Sequence, residues 1–93
     1  MIGVLSIQLY LPGCTSLKEK RSRLKPLLVR LHKEFNVSAT EMDWQDKWQE
    51  AVIACGMVGN DRVHLEQSLQ AIARWVAGNW LDVQLVDENI ELF

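Results

Sequence analysis

Apolar and polar residues alternate at the start of the chain, over residues 2–11. One set of alternating positions is wholly aliphatic and consists of Leu5, Ile7, Leu9 and Leu11. The other set holds Val4, Ser6, Gln8 and Tyr10. A period of two predicts a strand with one buried face, and Pro12-Gly13 ends it.

The apolar spacing changes to a helical period after Ser16. The apolar stripe of this helix consists of Leu17, Leu24, Leu27, Leu28, Leu31 and Phe35. Ser16 and Glu19 have the spacing of a capping box, in which each side chain bonds a free backbone N–H. Pro26 costs about 3 kcal/mol in a regular helix. Because the stripe continues in register beyond Pro26, we predict one kinked helix rather than two short ones.

The rest of the chain predicts three more strands and a second helix. A short strand spans 36–42, a turn spans 43–47, and a strand that is apolar on both faces spans about 48–58. Gly59-Asn60-Asp61 begins a helix that ends at Gly78-Asn79. Its stripe consists of Leu65, Leu69, Ile72, Ala73 and Val76. The last strand is predicted to begin near Trp80, with the acidic tail over 87–91 blunting the sheet edge.

The order strand, helix, strand, strand, helix, strand predicts an α+β, ferredoxin-like βαββαβ fold. Its four-stranded antiparallel sheet would carry both helices on one face. The 93 residues suit a single domain over 1–93. The sheet face without helices is apolar on the third strand, so we expect a homodimer that covers it.

Charge is segregated along the chain. The segment 17–35 carries seven basic and two acidic side chains, or +5, although the whole chain has a formal charge of -2. The two cysteines, Cys14 and Cys55, have no metal-binding spacing and are expected to be reduced thiols. No signal sequence or membrane span is recognisable, so we expect a cytoplasmic protein with no cofactor or metal.

Basic residues crowd the predicted start of the first helix. Lys18, Lys20 and Arg21 lie where the helix dipole disfavours cations. Lys25 and Lys33 extend the charge along the outward face. Free N–H groups flanked by cations suit a phosphate or another anion, so these five residues form the candidate RNA- or anion-binding site.

The alternative is a solvated helix surface. Glu19 with Arg23, and Arg30 with Glu34, have the spacing of ordinary i,i+4 ion pairs. They would neutralise two of the seven positive charges. Lys20 and Arg21 flank the apolar stripe, so their stems can also cover the core edge.

The tryptophans differ in their expected roles. Trp75 and Trp80 are expected in the core. Trp44 and Trp48 border the predicted hairpin turn and are better placed for an exposed contact, although packing remains the favoured role for both. An RNA-recognition motif stacks bases on aromatic residues of its first and third strands. Only Tyr10 matches that pattern, which disfavours RNA binding across the open sheet.

Catalytic motifs are not recognisable. His32 and His64 lie on different helices and neither has a nucleophile or carboxylate at a known spacing. Glu41 and Glu50, on adjacent predicted strands, could approach each other, but such carboxylates more often face solvent or bond to backbone. We therefore expect a non-enzymatic protein.

Several sequence blocks resemble the YlxP-like family of small bacterial proteins, also called domain of unknown function 503. They are Ser16-Leu17-Lys18-Glu19-Lys20-Arg21, then Phe35-Asn36-Val37-Ser38, Glu41 and Trp48-Gln49. The resemblance runs from about residue 2 to the end and implies a ferredoxin-like fold without a settled activity. Family members are often encoded beside translation and ribosome-maturation factors, which implies work near RNA. Pro26 and Trp44 depart from the family pattern.

Two hypotheses follow. The first is a protein that binds RNA or ribonucleoprotein through Lys18, Lys20, Arg21, Lys25 and Lys33, near ribosome maturation or translation. The second is a homodimeric module in which the same site docks an acidic protein partner or a small anion, with no role in nucleic-acid binding.

Overall fold

The computed structural model describes residues 1–42 and 47–93. Its elements, in chain order, are β1 (Ile2–Tyr10), α1 (Leu17–Phe35), β2 (Ser38–Glu41), β3 (Glu50–Val58), α2 (Arg62–Asn79) and β4 (Gln84–Leu92). The strands pair antiparallel in the order β2-β3-β1-β4. The predicted ferredoxin-like α+β fold is confirmed.

The alternation in β1 separates a covered from an uncovered sheet face, as predicted. Leu5, Ile7 and Leu9 are fully buried beneath the helices. In this sheet α1 packs beside β2, whereas α2 packs against β1, β3 and β4. The uncovered side is here called the open face. Along β1 and β3 it consists of Ile2, Val4, Ser6, Gln8, Tyr10, Glu50, Val52, Ala54, Gly56 and Val58.

Helix α1 continues through Pro26 without interruption, as the in-register stripe predicts. Leu24, Leu27 and Leu31 are buried on both sides of the proline. The helix ends at Asn36, which adopts the left-handed conformation with φ 51°. Asn tolerates this conformation better than most residues. Because Asn36 caps the helix, it is not part of β2, which begins at Ser38 rather than at the predicted residue 36.

The prediction for the last strand was wrong in its position. Trp80 caps α2, and β4 begins only at Gln84 and runs through the acidic tail to Leu92. A register shift between Gln8 and Leu9 of β1 absorbs one residue of β4. Because β4 is an edge strand, its carboxylates reach solvent while it pairs with β1. Residues 87–91, predicted as an acidic tail, are thus part of β4.

The predicted hairpin turn and Trp44 lie mostly outside the described residues, since 43–46 are not described. Among the residues that are described, no helix is long and apolar enough to cross a lipid bilayer.

Gly3 of β1 lies close beneath two leucines of α2. A Cβ atom at Gly3 would lie 2.7 Å from Cδ1 of Leu69 and 3.0 Å from Cγ of Leu65. Both leucines are buried, so we expect Gly3→Ala to lower the free energy of unfolding by about 1–3 kcal/mol. Gly56→Ala is the matched control, because a Cβ there meets no atom within 4 Å. Urea unfolding compares the two variants, and equal stabilities would contradict the close approach at Gly3.

Candidate nucleic-acid interface

The start of α1 is capped by the residues that the sequence indicates. Ser16 is the N-cap, and its hydroxyl accepts a hydrogen bond from the Glu19 N–H at 3.1 Å. The reciprocal half of the capping box differs from the prediction. The Glu19 carboxylate accepts from the Thr15 hydroxyl at 3.2 Å and pairs with Arg23 at 3.6 Å. The carboxylate therefore offsets the cations of the first two turns.

Four of the five predicted site residues are exposed along α1. They are Lys18, Arg21, Lys25 and Lys33, which we call the basic strip. At 100° per residue they fall within about 120° of the helix circumference and span about 22 Å of its axis. None of the four forms an ion pair with any residue of 1–42 or 47–93. The strip therefore presents four positive charges to solvent.

Lys20, the fifth predicted site residue, is not on this surface. Its side chain is 1% exposed, and its ammonium lies 2.9 Å from Oε2 of Glu41. The same ammonium donates to the backbone carbonyls of Lys47 at 2.6 Å and Glu50 at 2.9 Å. Lys20 thus joins α1 to the end of β2 and the start of β3. Since it is enclosed, it does not reach an RNA phosphate in this arrangement.

The remaining α1 cations are held by contacts within the protein. Arg23 donates to the Asp82 carboxylate at 2.8 Å and to the Pro12 carbonyl at 2.8 Å. The hydrogen bond with Asp82 raises the pKa of the Arg23 guanidinium. Arg30 pairs with Glu34 at 3.3 Å. Both predicted i,i+4 pairs are confirmed, so Arg23 and Arg30 contribute little net charge to the strip.

Arg30 also lies over the Trp75 ring, 5.5 Å from its centroid. Trp75 packs edge-on against Phe35 at 5.5 Å and lies 6.2 Å from the Trp80 ring centroid. Both tryptophans pack against the buried core, as predicted. A cation over an aromatic face is stabilising and restricts the Arg30 side chain. This cluster is therefore part of the packing between α1 and α2.

Positive and negative charge are separated in space as well as in sequence. The basic strip is on α1, which packs beside β2, whereas Asp87 and Glu91 lie on β4 at the opposite sheet edge. Four strands place the two edges about 14 Å apart. Asp87 and Glu91 are paired with Gln8 and Val4 and share the open face with them. The strand residues of that face include no lysine or arginine, so phosphate is not attracted there.

The histidines and Cys55, considered from the sequence for catalysis or metal binding, have local structural surroundings. His32 Nδ1 lies 2.7 Å from the Val37 carbonyl. The backbone N–H of His64 donates to the Asp61 carboxylate as part of the α2 cap. Burial raises the pKa of the Cys55 thiol to about 11. Such a thiol stays protonated and is a poor nucleophile at neutral pH.

Glu41 and Glu50 lie on different faces of the sheet. Glu41 faces α1 and pairs with Lys20, whereas Glu50 faces the open side and pairs with Lys47 at 3.4 Å. The structure therefore does not bring the two carboxylates together. Within the described parts of the chain, no group of three His, Cys, Asp or Glu side chains could hold a metal ion.

Trp48 is the exposed tryptophan of the described chain. Its side chain is 53% exposed and lines a cleft of about 580 Å³ at one end of the sheet. Its other lining residues in 1–42 and 47–93 are Tyr10, Lys47, Gln49 and Glu50, and we call this the end cleft. The sequence made Trp48 a better candidate for an exposed contact than Trp75 or Trp80 but still favoured packing for it, and it did not bring Tyr10 beside it. That proximity comes from the pairing of β1 with β3.

The fold and the site define an open-faced ferredoxin-like α+β protein with a cationic helix. The chain belongs to the family described as "Protein of unknown function (DUF503)", whose model matches residues 2–90. It is similar to "Uncharacterized protein YlxP" of Bacillus subtilis (strain 168), with 37% identity over 76 residues. That match covers 82% of this chain and 83% of the relative. The family resemblance seen in the sequence is confirmed.

Proposed function

We propose that this protein is a non-enzymatic RNA- or ribonucleoprotein-binding protein of the cytoplasm. It acts near ribosome maturation or translation through the basic strip of α1. The observation that carries the proposal is the exposure of Lys18, Arg21, Lys25 and Lys33 without internal ion-pair partners in the described chain, on a protein of net charge -2.

The strip suits contact with a phosphate backbone. Each cation that meets a phosphate releases condensed counterions, so affinity from such contacts falls as salt rises. Phosphate contacts set position and orientation but carry no direct sequence information. We therefore expect binding through the strip to depend strongly on salt and weakly on nucleotide sequence.

The surrounding charges favour one orientation of the bound RNA. The acidic residues of β4 repel phosphate at the far sheet edge, while the strip attracts it at α1. Association through the open face or the β4 edge would bring phosphates towards Asp87 and Glu91. This asymmetry supports α1 as the face that binds phosphate and disfavours phosphate contacts on the open face.

Fluorescence anisotropy of a labelled ribosomal RNA fragment tests the proposal at two salt concentrations. The natural protein is compared with a variant that carries Gln at all four strip positions. We expect the natural protein to bind tightly at low salt and the variant to bind weakly. Failure of the natural protein to bind at low salt would contradict the proposal, and the strip would then be assigned to an acidic protein partner or a small phosphate.

A second candidate function is homodimerisation through the open face. Val4, Val52 and Ala54 lie at its centre, and neither α1 nor α2 covers them. A second copy would bury this apolar surface. Light scattering at micromolar concentration is expected to give twice the chain mass of 10.7 kDa, and Val52→Lys is expected to return the protein to a monomer. A natural protein that stays monomeric throughout this range would contradict the dimer.

A further inference from the structure

We infer that the end cleft binds an unpaired RNA base, so that the RNA held by the basic strip is single-stranded at this point. The inference rests on the proposed RNA-binding function. The end cleft has a volume of about 580 Å³, which lies in the range of small-molecule sites. The cleft lies where β1 ends and β3 begins, because Tyr10 is paired with Glu50.

Among the described residues, two aromatic side chains line the end cleft. Tyr10 is on the open face, and Trp48 precedes Glu50 by two residues. Aromatic side chains stack on any base, since every base has a π-face. Trp75 and Trp80 pack against the core, whereas Trp48 keeps about half of its surface in solvent. The exposed indole of Trp48 is thus available as a stacking platform.

The charged side chains of the end cleft suit a base rather than a phosphate. The Lys47 ammonium lies 3.4 Å from Oε2 of Glu50, so the pair is neutral overall. An anion placed beside Glu50 would be repelled. A base edge carries both donors and acceptors and can bond to a carboxylate and an ammonium together.

The end cleft is attached to the beginning of α1. The Lys20 ammonium holds the carbonyls of Lys47 and Glu50 at 2.6 and 2.9 Å, on either side of Trp48 in sequence. The Gln49 amide donates to the Cys14 carbonyl at 3.4 Å, in the loop before α1. These contacts fix the Trp48 segment at the same end of the molecule as Lys18 and Arg21. One RNA strand can therefore place its phosphates on the strip and turn a base into the cleft.

The test compares a labelled single-stranded RNA with a duplex of the same sequence, at one low salt concentration. Trp48→Ala is expected to weaken single-strand binding by about 5- to 150-fold and to leave duplex binding unchanged. Trp48→Phe keeps a stacking face and is expected to retain most of the affinity. Val58→Ala is the control, because Val58 is 79% exposed at the other end of β3. Circular dichroism checks that each variant is folded.

The outcomes separate this inference from the proposed function. If the natural protein binds single-stranded RNA and Trp48→Ala binds it equally well, the inference is overturned and the strip remains the RNA site. A loss for Trp48→Ala that is equal for single strand and duplex would also overturn it, because stacking requires an unpaired base. If the natural protein binds neither RNA at low salt, the proposed function and this inference both fail.

Discussion

Replacing Lys18, Arg21, Lys25 and Lys33 by Gln is expected to remove most of the salt dependence of RNA binding. If each residue meets one phosphate, the slope of log affinity against log salt changes by about 2.8–3.6, at about 0.7–0.9 per contact. The natural protein should then lose roughly 50- to 150-fold in affinity between about 50 and 200 mM salt. The four-residue variant should lose much less over the same range.

A matched control separates the strip from overall charge. Lys18→Gln/Lys25→Gln and Arg62→Gln/Arg74→Gln each lower the net charge by two. Arg62 and Arg74 lie on α2 and are exposed. We expect the α1 pair to flatten the salt slope by about 1.4–1.8 and the α2 pair to leave it nearly unchanged. Equal effects of the two pairs would show that attraction is a property of the whole molecule rather than of α1.

Lys20→Met is expected to lower the free energy of unfolding by about 3–5 kcal/mol. The substitution removes the ammonium that lies 2.9 Å from Oε2 of Glu41, a carboxylate that is 17% exposed. It also takes a donor from the carbonyls of Lys47 and Glu50. A partly buried charge and two acceptors that lose a donor are each costly. Urea unfolding followed by circular dichroism measures the loss.

Two further variants show whether the loss of stability in Lys20→Met comes from the ion pair. Lys25→Met changes the same residue type on the exposed side of α1 and is expected to alter stability by less than about 0.5 kcal/mol. Lys20→Met/Glu41→Leu removes both charges and is expected to recover part of the lost stability, because an apolar pair can replace a buried ion pair. A Lys20→Met protein as stable as Lys25→Met would contradict the role of the ion pair.

The two sets of variants divide the basic cluster of α1 by role. Lys20 lies between Lys18 and Arg21 in sequence, yet its ammonium is enclosed by β2 and β3. We expect Lys20→Met to change folding more than RNA affinity at a temperature where the variant is folded. The strip variants should do the reverse, since exposed lysines contribute little to stability.

Much of the fold follows from periodicity. The alternation over β1, the stripe of α1 on both sides of Pro26 and the stripe of α2 predict elements that the structure contains. Pro26 is tolerated because it lies on the exposed side of α1, while Leu24 and Leu27 remain buried. The position of β4 was not predicted, because its acidic residues lack the apolar alternation of a strand. They form one through backbone pairing with β1.

Lys20 was expected in the exposed cationic site but is buried, and the sequence contains a signal of that burial. Lys20 precedes Leu24, Leu27 and Leu31 by four, seven and eleven residues, which is the spacing of the buried stripe itself. A lysine at such a position is usually excluded from a core unless it is paired. Its partner, Glu41, follows it by 21 residues and becomes a neighbour only when β2 packs beside α1.

The sequence by itself determined the order of the elements, the buried faces of β1, α1 and α2, and the concentration of positive charge in α1. These properties depend on local periodicity and on which side chains avoid water. The tertiary structure decided which cations remain exposed, that Tyr10 and Trp48 share one cleft, and that the acidic tail pairs with β1. Those outcomes depend on strand register and on contacts between distant residues, which no local pattern specifies.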